Sequence, residues 1–343
     1  MAKKLDSDDA VALADWPERV IGGKYVRLLY KQLETLRAEP SHGNQKLLLD
    51  DVFVVYLLAF FTPSIRSLRT IEDFSQTRQA QKHLSINKVC KSTLSDFNRL
   101  VDPQRLTPIL DALRRQLSRK QAHRGSHDDE LSTLLRQVVA VDGTWLPAMA
   151  DVVWAVTNKN NHHATRHRAR LDAHVHVASG LPELLVVPEA DQSEPASAIA
   201  RLQSDRLCLY DRGFVSFELV RAHHERRRSF IVRYKPAGNK NSSELSNVVD
   251  APLTDEDRAA GVLSDRTGRF DTETARRVGV EQIMLREVTV KVMERKGETT
   301  LRLITNLDGV SAATIAQLYQ HRWQAEVYQP DCTSSALLYR VTA

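Results

Sequence analysis

The sequence predicts an α/β protein in which helices cover a mixed sheet, with an all-helical region ahead of the sheet and a β-rich insertion within it. Three observations point there. The first 130 residues carry helical patterns without sustained strand-type alternation. Short runs rich in Val, Ile and Leu then begin, as strands require. Helical patterns separate the later runs, which is how covering helices alternate with strands.

In chain order, "VFVVYLLAFF" at 52–61 is too short to cross a bilayer and reads as a buried helix. "KSTLSDFNRL" at 91–100 fits either a packed helix or the second half of a helix-turn-helix, with Lys91, Ser92 and Thr93 near a helix start that suits phosphate. "LTPILDALRRQLSRK" follows: Thr107 can cap, Pro108 suits the first helical position, and Ile109, Leu110, Leu113 and Leu117 form the apolar stripe. The polar stretch "HRGSHDDE" at 123–130 closes this helical domain, residues 1–130.

Strands are expected in "QVVAVDGTWL", "DVVWAVT", "RLDAHVHVAS", "DRLCLYDRGF", "SFIVRYK" and "LRLITNL". "EPASAIARLQ" and "VSFELVRAHHERR" supply helices on either side of the fourth. The first part of the sheet domain therefore covers 131–234, the insertion 235–299 with a turn at Lys296-Gly297, and the last strand and helix 300–329; residues 330–343 change character.

Charge and cysteine content set bounds on function. Lys plus Arg number 48 against 43 Asp plus Glu, a net +5 that permits a polyanionic partner. The basic groups cluster at Arg114, Arg115, Arg119 and Lys120, at Arg166, His167, Arg168 and Arg170, and at Arg226 to Arg228; each reads as a solvated face or a phosphate contact. Cys90, Cys208 and Cys332 form no zinc or disulfide pattern, so a reducing cytoplasm fits. No apolar leader or membrane span is read, and no glycine-rich nucleotide motif occurs, so no nucleotide cofactor is expected. His162, His163, His167, His174 and His176 invite a zinc reading but lack a partner at diagnostic spacing.

Asp142 in "VVAVDGTWL" and Asp211 in "RLCLYDRGF" each close an apolar strand, where side chains project into the crevice at strand ends. A turn-forming role is the plain alternative for either one. In "LYQHRWQAEVYQ", Tyr319, Arg322 and Glu326 fall at helical steps of three and four and share one face. Three carboxylates, Asp142, Asp211 and Glu326, supply what two Mg²⁺ (or Mn²⁺) ions need to drive phosphoryl displacement. Arg322 can clamp a phosphate and Tyr319 can donate to one.

"AVDGTWL", "LYDRGF" and "LITNLDGVSAATIAQLYQHRWQAE" resemble the three catalytic segments of DDE transposases of the insertion-sequence-4 type, whose fold is RNase H-like. The likeness runs from about residue 60 to 328. The third segment is the most specific, because the family signature spaces Tyr, Arg, Glu and Lys as Tyr319, Arg322 and Glu326 begin to do. The resemblance implies Asp142, Asp211 and Glu326 as metal ligands and Tyr319 and Arg322 as contacts to transposon-end DNA. It also implies N-terminal helices that bind terminal inverted repeats, a dimer on paired double-stranded ends, cleavage and transfer into target DNA, and a bacterial, nucleoid-associated location. Thr333 stands where the family has its lysine, and Pro330 interrupts the helix before it. The tail is therefore expected to be shortened. Two readings stay open, an active transposase and a truncated end-binding protein that inhibits transposition, with a generic nuclease third. Trp16, Trp145, Trp154 and Trp323 do not identify a base-stacking residue for a hairpin step.

Overall fold

The computed structural model describes residues 29–37, 47–61, 67–81, 84, 88–100, 106–122, 130–147, 156–158, 166–189, 191–235, 243–294 and 297–323. The chain divides into two compact units. The first holds most of the N-terminal residues and residues 146–168; the second holds residues 120–145 and 169–330.

The first unit is helical before residue 120, as its sequence patterns require. It comprises α1 (Tyr30–Arg37), α2 (Leu49–Phe61), α3 (Leu68–Ser75), α4 (Arg78–Gln81), α5 (Lys91–Leu100) and most of α6 (Thr107–Ala122). Leu33, Leu36, Val52, Val55, Ile71, Leu94 and Ile109 meet in one apolar core. The run expected to be a buried helix is α2, and Val52, Val54 and Val55 within it are buried. Ser67 starts α3 through a capping box with Thr70, and the Ser75 hydroxyl accepts from the Val89 N–H at 3.0 Å, holding the approach to α5. Lys91, Ser92 and Thr93 are exposed at the start of α5. A short strand, β2 (Val156–Asn158), pairs antiparallel with residues 166–168.

In the second unit the sheet strands are β1 (Val138–Pro147), β3 (Arg166–His176), β4 (Leu181–Val186), β5 (Leu207–Tyr210), β6 (Phe230–Tyr234), β7 (Ser246–Asp250), β8 (Val262–Arg269), β9 (Leu285–Glu294) and β10 (Gly297–Thr305). Their order is β4–β3–β1–β5–β6–β10–β9–β8–β7. β1, β5 and β6 run parallel, and β3 and β4 form an antiparallel hairpin. The end of β3 meets the start of β1, where the Val177 N–H donates to the Val138 carbonyl at 2.9 Å, so those two run antiparallel. This is the RNase H-like mixed sheet that the resemblance implied. Among the described residues no helix is long and apolar enough to cross a membrane.

Alternation along the central strands builds two cores. Val138, Ala140, Leu207, Leu209 and Ile231 face one way, toward α7 (Glu130–Leu135) and α12 (Ala312–Gln320). Val139, Val141, Cys208, Tyr210, Phe230 and Val232 face the other way, toward α8 (Glu194–Ala200) and α9 (Phe217–Glu225). Ser311 caps α12 by accepting from the Thr314 N–H at 3.1 Å. Fully buried Ile315 and Leu318 fix that helix to the sheet, at about 1.5–3 kcal/mol for each side chain removed from water.

Two parts of this sheet differ from the sequence expectation. β4 was not anticipated, because Pro182 and a half-buried pattern obscure it; as an outer strand it tolerates a missing donor. The insertion extends the same sheet, and its β9–β10 hairpin pairs Gly297 with Glu294, the turn between them lying outside the described residues. It also holds two short helices, α10 (Asp255–Ala259) and α11 (Glu273–Val278). Their signals were local: Thr254 forms a capping box with Asp257, Thr272 caps α11, and Gly279 ends α11 at φ 81°, a left-handed position that suits glycine.

Candidate active site

The parallel register of β1 and β5 decides the site. Val141 pairs with Tyr210, so Asp142 and Asp211 are the next residues on neighbouring chains, just past the last paired position. Alternation turns both toward the face covered by α12. Asp211 directly follows β5, as expected, and starts a tight turn at Arg212–Phe214. Asp142 differs: β1 continues to Pro147, and what ends at Val141 is its pairing with β5. Both carboxylates are half-buried. Asp142 Oδ1 accepts from the Gly143 N–H at 3.0 Å, whereas Asp211 Oδ1 is buried with no hydrogen-bond partner among the described residues.

α12 is tied to the same place. The Tyr319 hydroxyl donates to the carbonyl of Tyr210, the residue before Asp211, at 3.3 Å. Burial, the largest influence, raises the Tyr319 phenol above its ordinary value, and the Asp211 charge adds to the rise. Arg322 follows in a turn, its N–H donating to the Tyr319 carbonyl at 3.0 Å and its guanidinium carbon lying 5.9 Å from the Tyr319 ring centre. Tyr319 is 4% exposed and Arg322 2%. Here the tyrosine hydroxyl holds a helix to a strand, and both side chains are away from solvent. Glu326 lies outside the described residues, as do Pro330 and Thr333.

The sequence reading passed over one further carboxylate. Glu194 opens α8 behind its cap, Ser193. A Cβ on Gly143 would lie 3.1 Å from Glu194 Oε1, and one on Gly213 would collide with Oε2. Its carboxyl is raised, first by burial, then less by Asp172 and Asp211, against the lowering effect of Arg170. Beneath it Arg170 grips Asp172 with Nε at 2.7 Å and Nη2 at 3.2 Å, and the Ser197 hydroxyl also donates to Asp172. This buried cluster docks α8 on the sheet. Only "EP" at a helix start hinted at Glu194, and that is an ordinary first-turn acid.

Other motifs resolve into structure. Arg170 belongs to the Asp172 cluster, Arg226 donates to the Ile199 carbonyl at 2.7 Å, and Arg228 meets Asp205 at 3.2 Å. His174 is held down to about 4 by burial, and His176 bridges Ser179 and the Arg136 carbonyl. His162 and His163 lie outside the described residues. Among the described residues no three His, Cys, Asp or Glu side chains group to hold a metal. Asp142 and Asp211 nevertheless fit a hard divalent cation: both offer oxygen alone, and the orphaned Asp211 Oδ1 is the kind of acceptor such an ion satisfies.

Residues 133–334, more than half of the chain and a span that includes Glu326, match the family described as "Transposase DDE domain". The chain belongs to that family. No curated protein matches the transposase. Among solved structures it is similar to the piggyBac transposase in a synaptic complex with hairpin DNA, at 12% identity and a TM-score of 0.42, over 99% of this chain and 70% of that one.

Proposed function

We propose that this DNA transposase is of the insertion-sequence-4 type, binding terminal inverted repeats and carrying out divalent-dependent strand cleavage and strand transfer at the ends of β1 and β5. The observation that supports it best is the Val141–Tyr210 register, which sets Asp142 beside Asp211 with an acceptor oxygen open. Glu326 follows the helix that Tyr319 ties to the same strand. In this reading Asp142, Asp211 and Glu326 hold two Mg²⁺ or Mn²⁺ ions. Such ions, when bound, would supply charge to activate an attacking oxygen and to stabilise a leaving one.

The remaining work falls to the chain itself. Strand packing holds the backbones of Asp142 and Asp211 in place, so little backbone freedom is lost when the ligands engage. Tyr319 acts by position, fixing α12 against Tyr210. Arg322 serves as a phosphate contact once the DNA backbone reaches the end of that helix. Residues 1–130 read the inverted repeat, with the exposed start of α5 as the candidate phosphate-binding helix end. Two copies act on paired ends, in a cytoplasmic, nucleoid-associated setting.

The test is nicking of a duplex that carries the element's end. Wild type with Mg²⁺ should nick it, while Asp142→Asn, Asp211→Asn and Glu326→Gln should each bind the duplex and leave it intact. Binding without nicking by the wild type would favour the end-binding inhibitor instead, and nicking that survives all three substitutions would end this reading.

A further inference from the structure

We propose that Asp257 is a positioning residue for the reaction centre: from the insertion it holds the start of α12, and so sets the axial position of the helix that leads through Tyr319 to Glu326. This rests on the site assignment above. Asp257 lies in α10 and is 4% exposed. Its two oxygens divide their work. Oδ2 accepts from the Thr254 N–H at 2.9 Å and the Thr254 hydroxyl at 2.7 Å, which fixes the carboxylate to its own helix start. Oδ1 accepts from the Ala313 N–H at 2.8 Å, in the first turn of α12 and 56 residues away in sequence. A helix start leaves its first N–H groups without intrahelical partners and carries partial positive charge, so a buried carboxylate suits it on both counts. Burial acts to raise the Asp257 carboxyl, but the Thr254 and Ala313 donors outweigh it and hold the group below its ordinary value. At neutral pH the cap is an anion.

The insertion grips the same end of α12 a second time. Arg286, on β9, donates to the Val310 carbonyl at 2.8 Å just before the helix, and is itself held by Asp265 of β8. Val262, Val288 and Val290 of the insertion share one core with Ala312, Ile315 and Leu318. Apolar packing is non-directional and leaves a helix free to slide along its axis, whereas a hydrogen bond weakens steeply as distance and angle change. Axial position is therefore set by the polar contacts at the two ends, Asp257 on Ala313 and Tyr319 on the Tyr210 carbonyl. From Ala313 to Tyr319 the helix runs about 9 Å, so a shift at its start reappears at the end beside Asp211.

The experiment uses the full chain and reads hydrogen exchange along α12 together with kcat and KM for Mg²⁺-dependent nicking of a duplex carrying the flanking inverted repeat. Asp257→Ala should speed exchange from Ala313 through Arg322. It should also lower kcat about 10- to 100-fold with KM unchanged, the scale on which about 1 Å of misplacement acts. Asp257→Asn keeps the shape and one acceptor oxygen, and should show both changes to a smaller extent; it carries the test if Asp257→Ala does not fold. Thr272→Ala removes a cap of the same kind, whose bond to the Ala275 N–H lies within α11, and should leave kcat and α12 exchange as in wild type. Faster exchange confined to the first turn of α12, with wild-type kcat, would overturn the proposal. So would an equal loss of kcat in Thr272→Ala. If wild type binds the duplex without nicking it, the site assignment fails separately; unchanged exchange at Tyr319 and Arg322 in Asp257→Asn would then overturn the positioning role as well.

Discussion

Glu287 and Asp211 are carboxylates of one sheet, Glu287 on β9 and Asp211 just after β5 with β6 and β10 between those strands, yet they are treated in opposite ways. Glu287, on β9, is fully buried and receives Arg266 through Nε at 2.8 Å and Arg302 through Nε at 3.2 Å. Two strands' worth of arginine thus saturate one acid. Nearby Asp265 is held by Arg286 at 2.8 and 2.7 Å, and Arg286 also donates to the Val310 carbonyl just before α12. Asp211 keeps a buried oxygen with no partner among the described residues, and Glu194 beside it has no hydrogen bond there either. A structural acid is matched with donors by its own fold, whereas an acid kept open carries an unmet acceptor that a ligand can satisfy.

The largest effect should come from breaking the saturated side. Glu287→Gln would leave two guanidinium groups without their shared anion and should cost about 3–5 kcal/mol in urea unfolding. A loss below about 1 kcal/mol would mean that the insertion's acids are as open as those of the core. Asp211→Asn sharpens the contrast from the other side. It should cut divalent-dependent nicking by at least about 100-fold, the upper end of what supporting groups around a metal contribute, with stability unchanged or raised. If Asp211→Asn instead unfolds the chain, Asp211 is structural.

Acid should then separate the two regions. His174 and His223 are buried and lowered to about 4, and the stretch from 235 to 310 contains no histidine. The His223 Nδ1–H donates to the Arg228 carbonyl, so Nε2 accepts from the Tyr210 hydroxyl at 3.0 Å and the ring is neutral when folded. A folded value below the ordinary 6.5 means that the unfolded chain binds more protons. Stability is therefore whole above pH 6.5 and falls as pH drops toward 4, by about 2 kcal/mol per histidine at pH 5. Hydrogen exchange at pH 7 and pH 5 should show protection lost around β3, β5 and α9 before the insertion; uniform loss would contradict this. The smallest effect concerns Tyr319→Phe, which removes one hydrogen bond to the Tyr210 carbonyl. It should cost about 1 kcal/mol and slow nicking without abolishing end binding. Wild-type nicking in that variant would show that the tether does not position the helix.

The sequence by itself determined the order of elements, the two apolar runs that deliver Asp142 and Asp211, and the cap and apolar face of α12. These follow from local patterning: alternation, capping and burial periodicity act over a few residues and are visible without a partner. Only the tertiary structure decided that Val141 pairs with Tyr210, that Tyr319 turns inward to a strand carbonyl, and that Glu194 lies against Gly143 and Gly213. It also decided which basic residues are structural, since Arg302 looks in sequence like any other charge and becomes fixed only when Glu287 on the neighbouring strand and the Lys235 carbonyl meet it. Register and pairing between segments far apart in the chain depend on which faces meet once the sheet closes, and no short stretch of sequence carries that information.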